Sequence, residues 1–198
     1  MPIGFGAGED VCDPGLRQAL RSGAPWAMAT RALRRAVQPR DRVLALDAGI
    51  GVLPAIAARV GAERVIAFEG NPHSAALMRD LFRANGSNAE AIHGIAHDSA
   101  FAASSEAAAA YPEEDAPKFD LPLILGEEKI TTLILLAPRA DRYPLHALPD
   151  HLEQVLLTSD IAGATDATFD LAIVKLIGSG FSYDAAASEG SALLLRRR

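Results

Sequence analysis

The sequence predicts a doubly wound α/β domain, a mostly parallel sheet with helices on both faces. Three observations predict it. Apolar, β-rich runs alternate with helical patterns along most of the chain. The first run, 42–46, passes directly into Asp47-Ala48-Gly49-Ile50-Gly51, an acid followed by a glycine turn. The second, 64–68, closes on another acid, Glu69, 22 residues after Asp47. Strand, acid, glycine turn, helix, strand and acid in that order make the nucleotide-binding half of such a sheet.

The elements follow in order. Residues 1–13 are glycine-rich and read as a loose arm. Helical patterns occupy 16–21 and 25–37, with Pro25 suited to a first helical turn. After the strand at 42–46, a short helix at 53–60 ends at Gly61, a residue that readily takes the left-handed cap. The strand at 64–68 precedes a helix at 72–84 with Leu77, Leu81 and Phe82 on one side, stopped by Asn85-Gly86. A third strand covers about 89–94.

Residues 97–129 are alanine-rich, with three prolines and an acidic cluster, Glu113-Glu114-Asp115, that reads as a solvated turn. The stretch reads as an excursion over the sheet with room for a short helix. The pattern then resumes: a β-rich run at 131–136, a short helical piece near 149–152, a strand at 154–158, and a helix at 168–177 ended by Gly178. The chain closes with a hairpin whose turn is Glu189-Gly190.

Composition bounds the function. With 198 residues there is room for one α/β core, and 49% hydrophobic residues exclude a disordered chain. No apolar run reaches the roughly 20 residues of a membrane helix. The N-terminus has no basic segment followed by an apolar core, so no signal peptide is expected. One cysteine, Cys12, forms no internal disulfide and points to a cytoplasmic location. A net charge of −6 argues against nucleic acid as a partner, and Arg196-Arg197-Arg198 reads as a solvated chain end. No His/Cys set has metal-ligand spacing, and no nucleophilic triad is recognisable.

The ligand can be narrowed from the turn. Gly49 and Gly51 carry no Cβ, so the backbone can turn tightly and approach a ligand. Glu69 offers two acceptor oxygens, enough for both hydroxyls of a ribose. A dinucleotide fingerprint needs a third glycine beside the pyrophosphate, and that position is Pro54. A carboxylate at Asp47 repels a pyrophosphate and suits a cationic amino group. Adenosine ribose and ammonium without phosphate describe S-adenosylmethionine. A nicotinamide oxidoreductase is a distant alternative for the same reasons.

On these residues the chain resembles the class I methyltransferases. The stretch Val65-Ile66-Ala67-Phe68-Glu69-Gly70-Asn71-Pro72, with Arg83-Ala84-Asn85-Gly86 further on, resembles the FkbM-type family of these enzymes in particular. The close likeness covers about 40–95. It implies a Rossmann-like seven-stranded methyltransferase sheet whose last strand runs antiparallel beside the fifth. Length and composition agree with a single domain, 1–198, read as the arm and helices (1–38), a donor-binding half (40–95), a variable excursion (96–130) and an acceptor-side half with the C-terminal hairpin (131–198). The resemblance also implies a donor site of Asp47, Gly49, Gly51, Glu69, Gly70 and Asn71, with His97 at the adenine edge.

Family members follow the fourth strand with an Asp-x-Glu-Gly-x-Glu segment. This chain reads Leu135-Leu136-Ala137-Pro138-Arg139-Ala140-Asp141 there, keeping one acid. Asp141 is the first candidate general base and His146 the second, with His151 on the same side. His93 and His73 read as structural residues. Trp26 and Met28 precede the first strand and either cover the donor or pack a helix on the sheet. Two functions are open: methylation of an oxygen on a small molecule or glycan, and a non-catalytic protein that keeps the fold and the donor for binding or assembly.

Overall fold

A computed structural model of the chain describes residues 14–98, 115–136, 140, 142–159 and 166–198. The N-terminal arm, residues 99–114 of the alanine-rich excursion (Glu113 and Glu114 among them) and Asp141 lie outside the described residues. The strands of the main sheet are β1 (Arg42–Leu46), β2 (Arg64–Glu69), β3 (Glu90–His93), β6 (Thr132–Leu136), β7 (Gln154–Thr158), β8 (Phe181–Tyr183) and β9 (Ala192–Arg197). Two further short strands, β4 (Ile95–His97) and β5 (Lys118–Asp120), pair with each other in parallel. The helices are α1 (Pro14–Ser22), α2 (Ala27–Ala36), α3 (Val52–Val60), α4 (Pro72–Ala84), α5 (Leu121–Glu127) and α6 (Asp166–Gly178), with a 3₁₀ turn at Ala24–Trp26 ahead of α2.

The main sheet has the order β3-β2-β1-β6-β7-β9-β8. Only β9 opposes the rest, pairing antiparallel with both β7 and β8. The sheet is therefore seven-stranded with its final strand inserted beside the fifth, as the sequence predicts. Strand order reverses between β1 and β6, so the crevice outside the carboxyl ends of these strands is the place for a ligand.

Alternation along each strand builds two cores. Val43, Ala45, Val65, Ala67, Ile134 and Leu156 face α2, α3 and α4. Leu44, Leu46, Ile66, Phe68, Leu133, Leu135, Val155 and Leu157 face α5, α6 and the turn after β6. Small residues bring the first layer close: Ala29, Ala32 and Ala36 of α2 are buried with Leu33 at helical spacing. Each large aliphatic side chain so buried contributes about 1.5–3 kcal/mol.

Three predicted features differ from the structure. On α4 the core positions are Ala75, Met78, Leu81 and Phe82, with Leu77 only half buried. Residues 149–152 form a turn instead of a helix, closed by the Leu152 N–H donating to the Pro149 carbonyl at 3.1 Å. The reason lies at the far end of the chain. Arg197 takes the carbonyls of Leu148, Pro149 and Leu152 at 3.2, 2.8 and 2.9 Å, and that of Ser179 at 3.3 Å. Its guanidinium also lies 4.5 Å from the ring centre of Phe181. Arg196 and Arg197 are thus no solvated tail, whereas Arg198 is exposed: Arg196 pairs with Asp184 at 2.7 Å, and Arg197 staples the β6–β7 connection to the hairpin.

A buried polar group sits under the opposite, amino end of the sheet. Asp41 Oδ2 accepts from the Gln38 N–H at 2.7 Å and from Gln154 Nε2 at 3.1 Å, and Gln154 Nε2 also donates to Thr132 Oγ1 at 2.8 Å. Burial pushes the Asp41 carboxyl above its usual range, against the lowering effect of the Gln38 N–H.

Two outcomes follow from these contacts. Arg197→Ala should cost about 2–4 kcal/mol in chemical denaturation, since it leaves several carbonyls and the Phe181 face without the cation, whereas exposed Arg198→Ala should be neutral. Asp41 holds its proton more tightly in the folded chain than unfolded. Its contribution to stability is therefore full below the usual carboxylate value and is lost as pH rises through the raised one. The stability of Asp41→Asn relative to the unmodified chain should accordingly increase between pH 4 and pH 7, measured by denaturation at each pH.

Candidate functional site

The site forms where the turn after β1, the end of β2 and the turn after β6 meet. Glu69, the last residue of β2, is buried. Its two oxygens are held apart by backbone donors: Oε2 accepts the Gly49 N–H at 2.7 Å and Oε1 accepts the Asn71 N–H at 2.8 Å. The two N–H groups thereby fix the position and orientation of the carboxylate.

The two glycines of the turn serve different ends. Gly49 has φ +58°, and a Cβ added there would meet nothing within 4 Å. Its outer side is open, as a ligand approaching the backbone requires. Gly51 has φ +83°, and its Cβ would fall 2.5 Å from Met78 Cγ and 3.0 Å from Phe82 Cε1. Gly51 therefore lets α3 start against α4, a packing role that the glycine pattern alone does not reveal.

Asp47 is the strained member. It has φ +50°, a left-handed conformation that aspartate tolerates better than most residues and that marks a constrained position. It is 5% exposed, and its Oδ2 accepts from the Tyr143 hydroxyl at 2.8 Å. The Arg142 guanidinium lies 3.8 Å from Oδ1. Beside Asp47, between Trp26, Leu53, Pro54 and Ile134, a cavity of about 20 Å³ has room for one water. Trp26 thus packs at the floor of this crevice, while Met28 is partly exposed near Gly190.

The structure brings Asp47, Gly49 and Glu69 together, with the backbone of Asn71. The Asn71 side chain caps α4 instead, Oδ1 accepting the Ser74 N–H at 3.0 Å. Gly70 is buried, and its carbonyl accepts from His93 Nε2 at 3.1 Å, a structural use of that histidine. His97 stands on β4, its Nδ1 bonded to the Phe119 carbonyl at 3.1 Å. His146 is exposed in the turn after β6, and His151 Nε2 donates to the Leu125 carbonyl at 2.8 Å. His73 is exposed on the first turn of α4. The candidate base Asp141 lies outside the described residues. Among the described residues no cluster of His, Cys, Asp or Glu is placed to hold a metal, and no helix is long and apolar enough to cross a membrane.

Arg142 and Tyr143 are the site residues that sequence reading missed. The segment was legible only for the acids it lacks; an Arg-Tyr pair just past the expected end of a central strand was the available signal.

The two glycines should separate on substitution. Gly49→Ala should cost about 1–2 kcal/mol for its left-handed backbone alone. Gly51→Ala adds an overpacking penalty of about 1–3 kcal/mol against Met78 and Phe82. Thermal denaturation should therefore rank Gly51→Ala as the less stable variant, while Gly49→Ala should be the more harmful to ligand binding.

No family model matches the sequence, and no curated protein matches it. Solved structures do. The ribosomal protein L11 methylase of Lactobacillus delbrueckii subsp. bulgaricus is similar with a TM-score of 0.54 and 17% identity, over 86% of this chain and 78% of that one. Magnesium protoporphyrin IX methyltransferase (ChlM) of Synechocystis PCC 6803, solved with bound SAM, gives 0.53 and 16%, over 98% and 93%. A variant of MtNAS in complex with S-adenosylmethionine gives 0.54 and 16%, over 96% and 69%. At such identities the likeness concerns architecture. Together with the strand order and the antiparallel insertion of β9, it establishes that this chain has the Rossmann-like fold of the class I methyltransferases.

Proposed function

We propose that the chain binds S-adenosylmethionine and methylates an oxygen of a small molecule or glycan, as a protein of FkbM type. The observation that carries this reading is the Glu69 clamp: a buried carboxylate at the end of β2, fixed by two backbone N–H groups, beside a Gly49 whose outer side is open. Structures of this fold solved with S-adenosylmethionine support the choice of donor.

The residues present fit that donor. Glu69, a carboxylate held in place by two backbone N–H groups, accepts the ribose hydroxyls, and Gly49 admits the ligand close to the turn. Asp47 provides the anion for the amino group. Bound there, the donor supplies an electrophilic methyl on a sulfonium. The chain's remaining tasks are to hold the acceptor in line and to take its proton. Asp141 and His146, both between β6 and β7 in the sequence, are the residues proposed for the proton. His97 is proposed for the adenine edge.

One observation favours a second reading, a non-catalytic donor-binding protein. The segment after β6 has lost most of the acids of FkbM-type enzymes, and Arg142 and Tyr143 from this segment bind Asp47. The readings part at turnover: both bind the donor, and only the first yields labelled product from an acceptor screen.

Calorimetric titration with S-adenosylhomocysteine tests the shared step. Glu69→Ala should weaken binding about 10- to 100-fold through lost charge-assisted hydrogen bonds, with far-ultraviolet circular dichroism retained. Unchanged affinity in a folded variant would remove Glu69 from the site.

A further inference from the structure

Asp47 and Arg142 form a buried pair of opposite charges, with side chains 4% and 12% exposed. Charges this deep are costly unless each answers the other. The amino-acid end of S-adenosylmethionine carries the same two signs on a single carbon, an ammonium and a carboxylate. Two such pairs can exchange partners with every charge remaining matched. In the closed pair the Tyr143 hydroxyl, on Asp47 Oδ2, gives that carboxylate a further donor.

We propose that Asp47 and Arg142 are an exchangeable ion pair that reads the zwitterionic end of the donor. The ammonium goes to Asp47 and the carboxylate to Arg142. This inference rests on the donor reading above and assigns Arg142 a role in specificity: it separates S-adenosyl compounds with an intact amino acid from the nucleoside thioether alone. Arginine suits the task, because its planar fork matches a carboxylate with two parallel N–H groups. The cavity beside Asp47, about 20 Å³, has room for a water and not for an amino acid, so exchange includes an outward shift of Arg142 and Tyr143. With the donor absent the pair closes on itself, which keeps the buried Asp47 neutralised.

The test is calorimetric titration of the full chain with S-adenosylhomocysteine and with 5′-methylthioadenosine, the same nucleoside without the amino acid. Arg142→Gln should lower affinity for the first about 10- to 100-fold and leave the second within about twofold. An equal loss for both ligands would make Arg142 structural and overturn the proposal. Unchanged or tighter binding of S-adenosylhomocysteine would also overturn it, making Arg142 a mere competitor for Asp47. Should Arg142→Gln fail to fold, decarboxylated S-adenosylhomocysteine on the unmodified chain gives the same contrast and should bind about 10- to 100-fold more weakly than the intact compound; equal affinity would overturn the proposal. Failure of S-adenosylhomocysteine to bind the unmodified chain would overturn the donor reading along with it, whereas normal binding with no response at Arg142 overturns this inference alone.

Discussion

The Glu69 carboxylate is the constraint on which the site depends. It lies at the end of β2, accepts from the turn after β1 through Gly49 and from the start of α4 through Asn71. One side chain thereby fixes two backbone segments that belong to different β–α units. A buried carboxylate is stable only when its oxygens are answered, and here the answering donors are amide groups that the turn geometry points inward. The positive φ values at Asp47, Gly49 and Gly51 follow from the same arrangement, since the chain must reverse sharply to present its N–H group to β2. Strain at Asp47 is held by contacts on the other side, from Tyr143 and Arg142.

The turn after β6 therefore has a different place than a simple acceptor platform. Its Tyr143 and Arg142 reach Asp47, which is thereby shared with the end of β1. This links the end of β1 and the β6–β7 connection through one carboxylate. It also gives physical content to the two functional readings. In both proposed readings this contact opens to admit the donor; only the catalytic one also needs a base beside it.

Support for that turn comes from the end of the chain. Arg197 on β9 gathers carbonyls from the β6–β7 connection and from the end of α6, and stacks on the fully buried Phe181. The antiparallel insertion of β9 brings it there. Fold topology thus reaches the site indirectly, through a cation that would otherwise be a charge near the terminus.

By itself the sequence determined the order of most strands and helices of the main sheet, the two-glycine turn and the acids at the ends of β1 and β2. These signals are local: hydrophobic period, helix-stopping Gly61 and Asn85-Gly86, and the spacing from Asp47 to Glu69. It also determined the antiparallel hairpin, because a turn at Glu189-Gly190 lies between two β-rich runs. What the tertiary structure decided are contacts between residues far apart in the chain. Parallel pairing of Ile95 with Lys118 makes β4 and β5 from residues with little strand character of their own. Met78 takes the core position over Leu77 because α4 faces Gly51. Arg197 becomes a staple and Arg142 a partner of Asp47, 95 positions away, because charged side chains are placed by whichever buried groups the fold brings within reach. Sequence period fixes which face of an element is apolar; only packing fixes which polar group waits at the end of it.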